Sequence, residues 1–242
     1  MSDRAIQDDV IRYLADARVR GREPYGAPIS AGEAVKAAQF AHFLARRYYR
    51  DRLARSFRYS HRFRRQTGRI AEEVVDAEEF GCFLSRCVMG SLESARQVAE
   101  IAHAHLSAVP APGPWWQDLL DYEYAYFLQA ATAERTTSTD RPSPAVSAVC
   151  QRFAWALPEM LPRLRAGESI DDDLRREVTL LFSRTDTGRI YVVEIEATME
   201  KVFHAVDGGS SLEQIATRAG TDLPSTKEAL DALAGIGAVK IR

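Results

Sequence analysis

Nowhere does this chain string together the roughly eighteen apolar residues that a bilayer-spanning helix requires, so no membrane-spanning segment is expected. Cysteine is scarce: Cys82, Cys87 and Cys150 are the only three, and their spacing makes no metal-ligand pattern. Their odd number, in a sequence that opens without a signal-peptide pattern, leads us to expect reduced thiols in a cytoplasm. Lysine is nearly absent, 4 against 28 arginines, and the formal net charge is only −2. That balance removes any overall electrostatic case for a nucleic-acid partner. Also missing are a GxSxG elbow, a phosphate-cradling glycine loop, a Rossmann fingerprint and the HExxH spacing. Nothing in the chain therefore announces an enzyme that works alone.

What is present is mostly helical. Through AGEAVKAAQFAHFLARRYYRDRLARSF and again through EEFGCFLSRCVMGSLESARQVAEIAHAHLSA, apolar residues recur at spacings of three and four, the period of a helix with one buried face. Pro110, Pro112 and Pro114 break this pattern. An aromatic helix then resumes over Trp115–Glu134, with Leu119, Leu120, Tyr122, Tyr126 and Phe127 as its inward candidates. Thr136–Pro144 has a linker's composition. The stretch AVSAVCQRFAWALPEMLPRLRAG reads as one or two short helices broken at Pro158 and Pro162. The expected class is mainly α: an all-helical domain at residues 1–135, a linker with short helices at 136–175, and a small α+β winged-helix-like domain at 176–242.

The winged unit carries the most information. Val178–Arg184 is apolar and β-rich, Asp186–Gly188 signals a turn, and Arg189–Glu196 is a second β-branched and aromatic run. Met199, Val202, Phe203 and Val206 follow at helical spacing up to Gly208 and Gly209. Ser211 is placed to cap a second helix ending at Gly220, Ser225 to cap a third carrying Ala229, Leu230 and Leu233, and AVKIR returns as a strand. A DNA-reading helix presents several Arg, Lys, Asn or Gln side chains to base edges. The third helix offers Lys227 against Glu228 and Asp231, and the second offers Arg218. An extended peptide added to the edge of the second strand, with alternate side chains against the third helix, fits this chemistry better. A winged-helix transcriptional regulator that binds DNA stays open as the alternative.

Three other features have bland counterparts. Arg46–Arg69 holds ten arginines and one acid, Asp51, interleaved with Tyr48, Tyr49, Phe57, Tyr59 and Phe63. It reads either as a groove for nucleic acid or as a helix face pairing with Glu72, Glu73, Asp76, Glu78 and Glu79. The near-neutral total favours pairing or a protein interface. His103 and His105 diverge on a helix and make no ligand pair, and Cys82 and Cys87 read as core packing. Asp118, Asp121 and Glu123 beside Trp115 and Trp116 are candidates for an acid/base site, though no partner motif supports a reaction.

From Gly188 to the end, GRIYVVEIEATMEKVFHAVDGGSSLEQIATRAGTDLPSTKEALDALAGIGAVKIR resembles the precursor-peptide recognition element, of which the peptide chaperone of pyrroloquinoline quinone biosynthesis is an example. The shared features are the strand pair, a helix ending in Asp207-Gly208, the Leu-Glu-Gln-Ile start of the next helix, and Leu-x-x-Leu before a glycine and the last strand. ARRYYRDRLARSF followed by WWQDLLDYEYAYFLQAA resembles the partner subunits of multinuclear non-haem iron enzymes that modify ribosomally made peptides, of thiaglutamate or methanobactin type. The resemblance implies an accessory subunit, not catalytic alone, with no cofactor of its own and the iron in the partner enzyme. It implies a precursor peptide paired along Ile190, Tyr191, Val192, Val193, Glu194 and Ile195 and packed on Lys227, Leu230 and Leu233. It further implies a heterodimer docked through Arg47, Tyr48, Tyr49, Arg50 and Arg58, with the cysteine-bearing peptide end offered to an oxygenase or oxidase.

Overall fold

A computed structural model describes residues 3–20, 31–133 and 140–241. Its first half is helical: α1 (Asp3–Ala15), α2 (Ala17–Arg20), α3 (Ala31–Ser56), α4 (Arg64–Thr67), α5 (Glu78–Leu84), α6 (Leu92–Ser107) and α7 (Trp116–Ala131). After a two-residue strand, β1 (Ser143–Pro144), come β2 (Val149–Phe153), α8 (Leu157–Ala166), β3 (Val178–Arg184) and β4 (Ile190–Glu194). The chain finishes with α9 (Ala197–Ala205), α10 (Leu212–Ala219), α11 (Leu223–Gly235) and β5 (Val239–Lys240). The protein is mainly α with a small α+β C-terminal part, as its periodicity implies. Among the described residues no helix is long and apolar enough to cross a membrane.

One stripe explains why the long α3 packs. Ala41, Ala45, Tyr49, Leu53 and Phe57 follow one another every four residues and all are buried. The C-terminal half of this stripe faces α7, where Tyr49 and Phe57 both meet the Phe127 ring, and α7 is buried on nearly every side by contact with α3, α6 and β3. Such a helix must satisfy its own polar side chains. Gln129 does so against Ser147, donating from Nε2 to the carbonyl and accepting from Oγ at 2.9 Å. Glu123, fully buried, accepts from the backbone N–H of Tyr59 at 2.6 Å and of Ser60 at 3.2 Å. These bonds tie the turn after α3 to the middle of α7.

The antiparallel sheet has the order β2-β3-β4. Its central strand feeds two cores. Val178, Leu180 and Phe182 join the helical cluster, while Leu181 joins a second cluster built from α9, α10 and α11. The poor alternation of this strand in sequence follows from burial on both faces. β4 returns through a hairpin in which the Thr185 N–H donates to the Arg189 carbonyl at 3.0 Å and Gly188 takes φ +88°. At the other end of the unit, Gly237 (φ +77°) lies so close to β3 that a Cβ there would meet the Arg184 carbonyl oxygen at 2.8 Å.

Several expectations need correction. Val149–Phe153 is a strand, not a helix, because Cys150 and Leu181 pair across the sheet and side chains of β2 line both faces. Pro158 sits in the first turn of α8, where no N–H is needed, and Pro162 lies inside that helix without ending it. Asp222, not Ser225, caps α11, accepting the Ser225 N–H at 2.7 Å. Ser211 caps α10 as expected, in a reciprocal box with Gln214. Cys87 is buried but Cys82 is exposed. The start of the expected linker, Thr136–Thr139, lies outside the described residues, and its end forms β1, which pairs with β5.

Burial raises the Glu123 carboxyl from 4.5 to about 8, against the N–H bonds that favour its charge. A group held above its unfolded value contributes stability that is complete below pH 4.5 and lost as pH rises through about 8. Glu123→Gln should therefore remove a downward slope: between those limits, thermal midpoints of the variant should gain steadily on those of the parent. Parallel curves would show that the buried carboxyl does not titrate there.

Candidate functional site

β4 borders the sheet with β3 on one side, and among the described residues no strand pairs with its other side. Which of its backbone groups face outward follows from the register. Thr185 with Arg189 and Thr179 with Ile195 are hydrogen-bonded pairs at the two ends of the ladder, each at 3.0 Å. Alternation in an antiparallel pair then turns Tyr191 and Val193 toward β3 as well. Ile190, Val192 and Glu194 are left with their N–H and C=O directed away from the sheet, a row of donors and acceptors that meet no backbone partner among the described residues. Side chains alternate too: Val192 packs toward the helical core and Val193 toward the C-terminal one.

Beside the start of β4 lies a cleft of about 550 Å³, lined by Arg52, Arg55, Ser56, Arg58, Tyr126, Ala130, Arg184, Gly188 and Ile190. Four arginines and no carboxylate contribute to its wall. Two of them are anchored at the end of α7, whose last carbonyls lack helical donors. Arg52 donates to the Ala130 carbonyl at 3.2 Å and lies 3.4 Å from the centre of the Tyr48 ring. Arg184 donates to the carbonyls of Gln129 and Thr132, and the Tyr48 hydroxyl to that of Ala131 at 2.8 Å. Arg58 reaches the Tyr59 hydroxyl at 3.1 Å, while Arg55 is exposed and makes no hydrogen bond or ion pair among the described residues. The result is a positive surface held open at one end of the strand's free edge.

The structure thus brings Arg58 and Ile190, read from sequence as belonging to different surfaces, to one cleft. Others of the expected residues fall elsewhere. Leu230 and Leu233 are 3 % and 0 % exposed and belong to the C-terminal core, so a peptide on the surface does not touch them. Lys227 is exposed on α11 beside Glu228. Tyr49 is 0 % exposed, ringed by Phe80, Phe83 and Phe127, and is a core residue rather than a docking one. Tyr48 is half-buried, and Arg47 and Arg50 are exposed. Ile195 is buried beyond the end of the strand.

Pairing of the arginine segment with the acidic block is met by one arginine among the described residues, Arg50 on Asp76 at 2.6 Å. Several others serve as carbonyl donors: Arg46 to Val75, Arg62 to Arg165, Arg69 to His105. The α7 carboxylates disperse, Asp118 to the Trp155 N–H, Asp121 to His103 and Glu123 to the α3 turn, so they make no acid/base pair. His103 and His105 also part, the latter facing Glu73 at 3.7 Å. Sequence reasoning missed Arg52, Arg55 and Arg184 in the cleft; a positively charged end to β3 was the available signal. Exposed apolar side chains also stand on two helices, Val10 and Ile11 on α1 and Val35, Phe40 and Phe43 on α3, each between 52 % and 64 % exposed. Phe40 and Phe43 stack with centroids 6.4 Å apart, and Arg47 follows Phe43 by one helical turn on the same face.

Comparison of the sequence with protein-family models returns no match, and no curated protein matches it significantly.

Truncating Arg184 strips the carbonyls of Gln129, in the last turn of α7, and of Thr132, just past it, of this donor, so Arg184→Ala should cost about 1–3 kcal/mol in denaturant unfolding. Arg55→Ala, which removes no such bond, should stay within about 0.5 kcal/mol. Equal effects would show that the cleft's arginines do not divide into anchored and free ones.

Proposed function

We propose that this chain is a non-catalytic accessory subunit that captures a ribosomally made precursor peptide on the outer edge of β4 and presents its cysteine-bearing end to a multinuclear non-haem iron enzyme. The observation that carries this reading is the outward-facing backbone of Ile190, Val192 and Glu194, which an extended guest strand would complete. Main-chain pairing gives affinity with loose sequence demands, which suits a carrier of one long substrate. The arginine cleft at the start of the strand favours a guest with acidic residues at that end. The exposed apolar stripe of α3 at Val35, Phe40 and Phe43, followed by Arg47 and the Arg50–Asp76 pair, suits a protein partner. The α11 face, where Lys227 stands beside Glu228 and Asp231, is poorly charged for DNA.

Position 192 gives a clean test, with a ribosomally made precursor peptide co-expressed with this chain as the guest. Proline there removes an outward N–H and leaves the β3–β4 ladder whole, a placement that edge strands tolerate. Val192→Pro should weaken binding by at least about tenfold in titration calorimetry, with an unchanged circular dichroism spectrum. Val193→Pro removes a donor directed at β3 and should disrupt the fold instead. Unchanged affinity in Val192→Pro would refute capture at this border and turn attention to β2, the sheet's other edge.

The docking surface is tested separately. Phe43→Asp should abolish co-purification of a co-expressed multinuclear iron enzyme while peptide affinity stays within about twofold, since a surface change on a separate helix adds independently. Retained co-purification would place the partner elsewhere.

A further inference from the structure

Cys150 occupies the second position of β2, and its side chain packs toward the C-terminal cluster. Facing it, α9 carries Glu200 and His204 four residues apart, so both leave the same face of the helix. One donor atom from each residue, the Cys150 Sγ, a Glu200 carboxylate oxygen and a His204 ring nitrogen, lies within 4.8 Å of the other two. We propose that Cys150, Glu200 and His204 form a binding site for a divalent metal ion of the zinc class, with a fourth position open to solvent.

The donor set is the first argument. A thiolate, an imidazole and a carboxylate together suit zinc, and three protein ligands with an open fourth position is a common arrangement for it. Zinc–sulfur and zinc–nitrogen bonds of about 2.3 and 2.0 Å put neighbouring tetrahedral ligand atoms roughly 3.3–3.8 Å apart. The three atoms must close by about 1 Å, a movement that side-chain rotation supplies with the backbone still. Glu200 is also steadied from outside: Arg152, two residues along β2, donates to its two oxygens at 3.0 and 3.2 Å. A metal takes one oxygen and leaves the other on the guanidinium, which then aims the ligand as outer partners of metal sites do.

Charge is the obstacle to weigh. Arg152, Lys201 and Arg218 line the adjoining cleft of about 340 Å³, and they repel a bare cation. Thiolate and carboxylate supply two negative charges that offset the ion's two positive ones. Burial, and then Glu200, hold the free Cys150 thiol at about 11, so at neutral pH the metal replaces the thiol proton, which leaves to solvent. The surrounding cations favour an anion or a hydroxide in the fourth position. In place, the ion would clamp β2 to α9, fastening the sheet to the C-terminal helices at the border opposite the peptide edge. The site does not depend on the peptide reading.

Cobalt(II), added to the full chain after chelator treatment and without a polyhistidine tag, reports on this set directly. The expected result is a near-ultraviolet thiolate-to-cobalt absorption with tetrahedral visible bands, saturating at one ion per chain and displaced by zinc. Cys150→Ser should erase the thiolate band. His204→Gln, at an exposed position that folding tolerates, should weaken cobalt binding by at least about tenfold with an unchanged circular dichroism spectrum. A titration without the thiolate band, a band that survives in Cys150→Ser, or one indifferent to His204→Gln overturns the assignment.

Discussion

β3 is the constraint on which the rest of the structure depends. Leu180 and Phe182 are buried in the helical core and Leu181 in the C-terminal core, so a seven-residue strand is the shared wall of two hydrophobic clusters. Burying side chains of this size stabilises by about 1.5–3 kcal/mol each, and here the gain is drawn on both faces at once. A shift of register by one residue would exchange the faces and empty both cores. That is why the hairpin after β3 is tightly specified, and why Ser183 also reaches across to the Ile236 carbonyl at 2.8 Å.

Fixing β3 in this way fixes what β4 can offer. Since β4 is aligned by β3, the direction of its outward groups is set by the two hydrogen-bonded pairs that end the ladder. The same packing brings the end of α7 to the end of β3, where Arg184 and Arg52 bond its last carbonyls. Arginine suits this work because one guanidinium carries five donors in a rigid fork, which fits the scarcity of lysine in the chain. The positive cleft is a consequence of capping a buried helix, and it opens beside the free edge of β4.

The opposite border has its own chemistry. β2 carries Cys150 and Arg152 on the face turned to α9, where they meet Glu200 and His204. The proposed peptide edge and the proposed metal site thus lie on the two outer strands of one sheet, separated by β3. Each can be altered without removing a side chain from the central strand.

Helices, hairpin and glycine stops were legible because they rest on local rules: the four-residue stripe from Ala41 to Phe57, the turn at Gly188, the cap at Ser211. The strand at Val149–Phe153 was not, since nothing within five residues distinguishes a strand from a helix turn without the partner that pairs with it. Leu230 and Leu233 were read as surface contacts and Tyr49 as a docking residue for a related reason, that apolar spacing marks a buried face without saying what buries it. By itself, then, the sequence determined a mainly helical chain with a small α+β end. Only the tertiary structure decided that β4 is a border, that arginines from two distant segments share its cleft, and that Cys150 faces Glu200 and His204. Those are relations between residues far apart in the chain, and they come into being when packing against β3 brings the segments together.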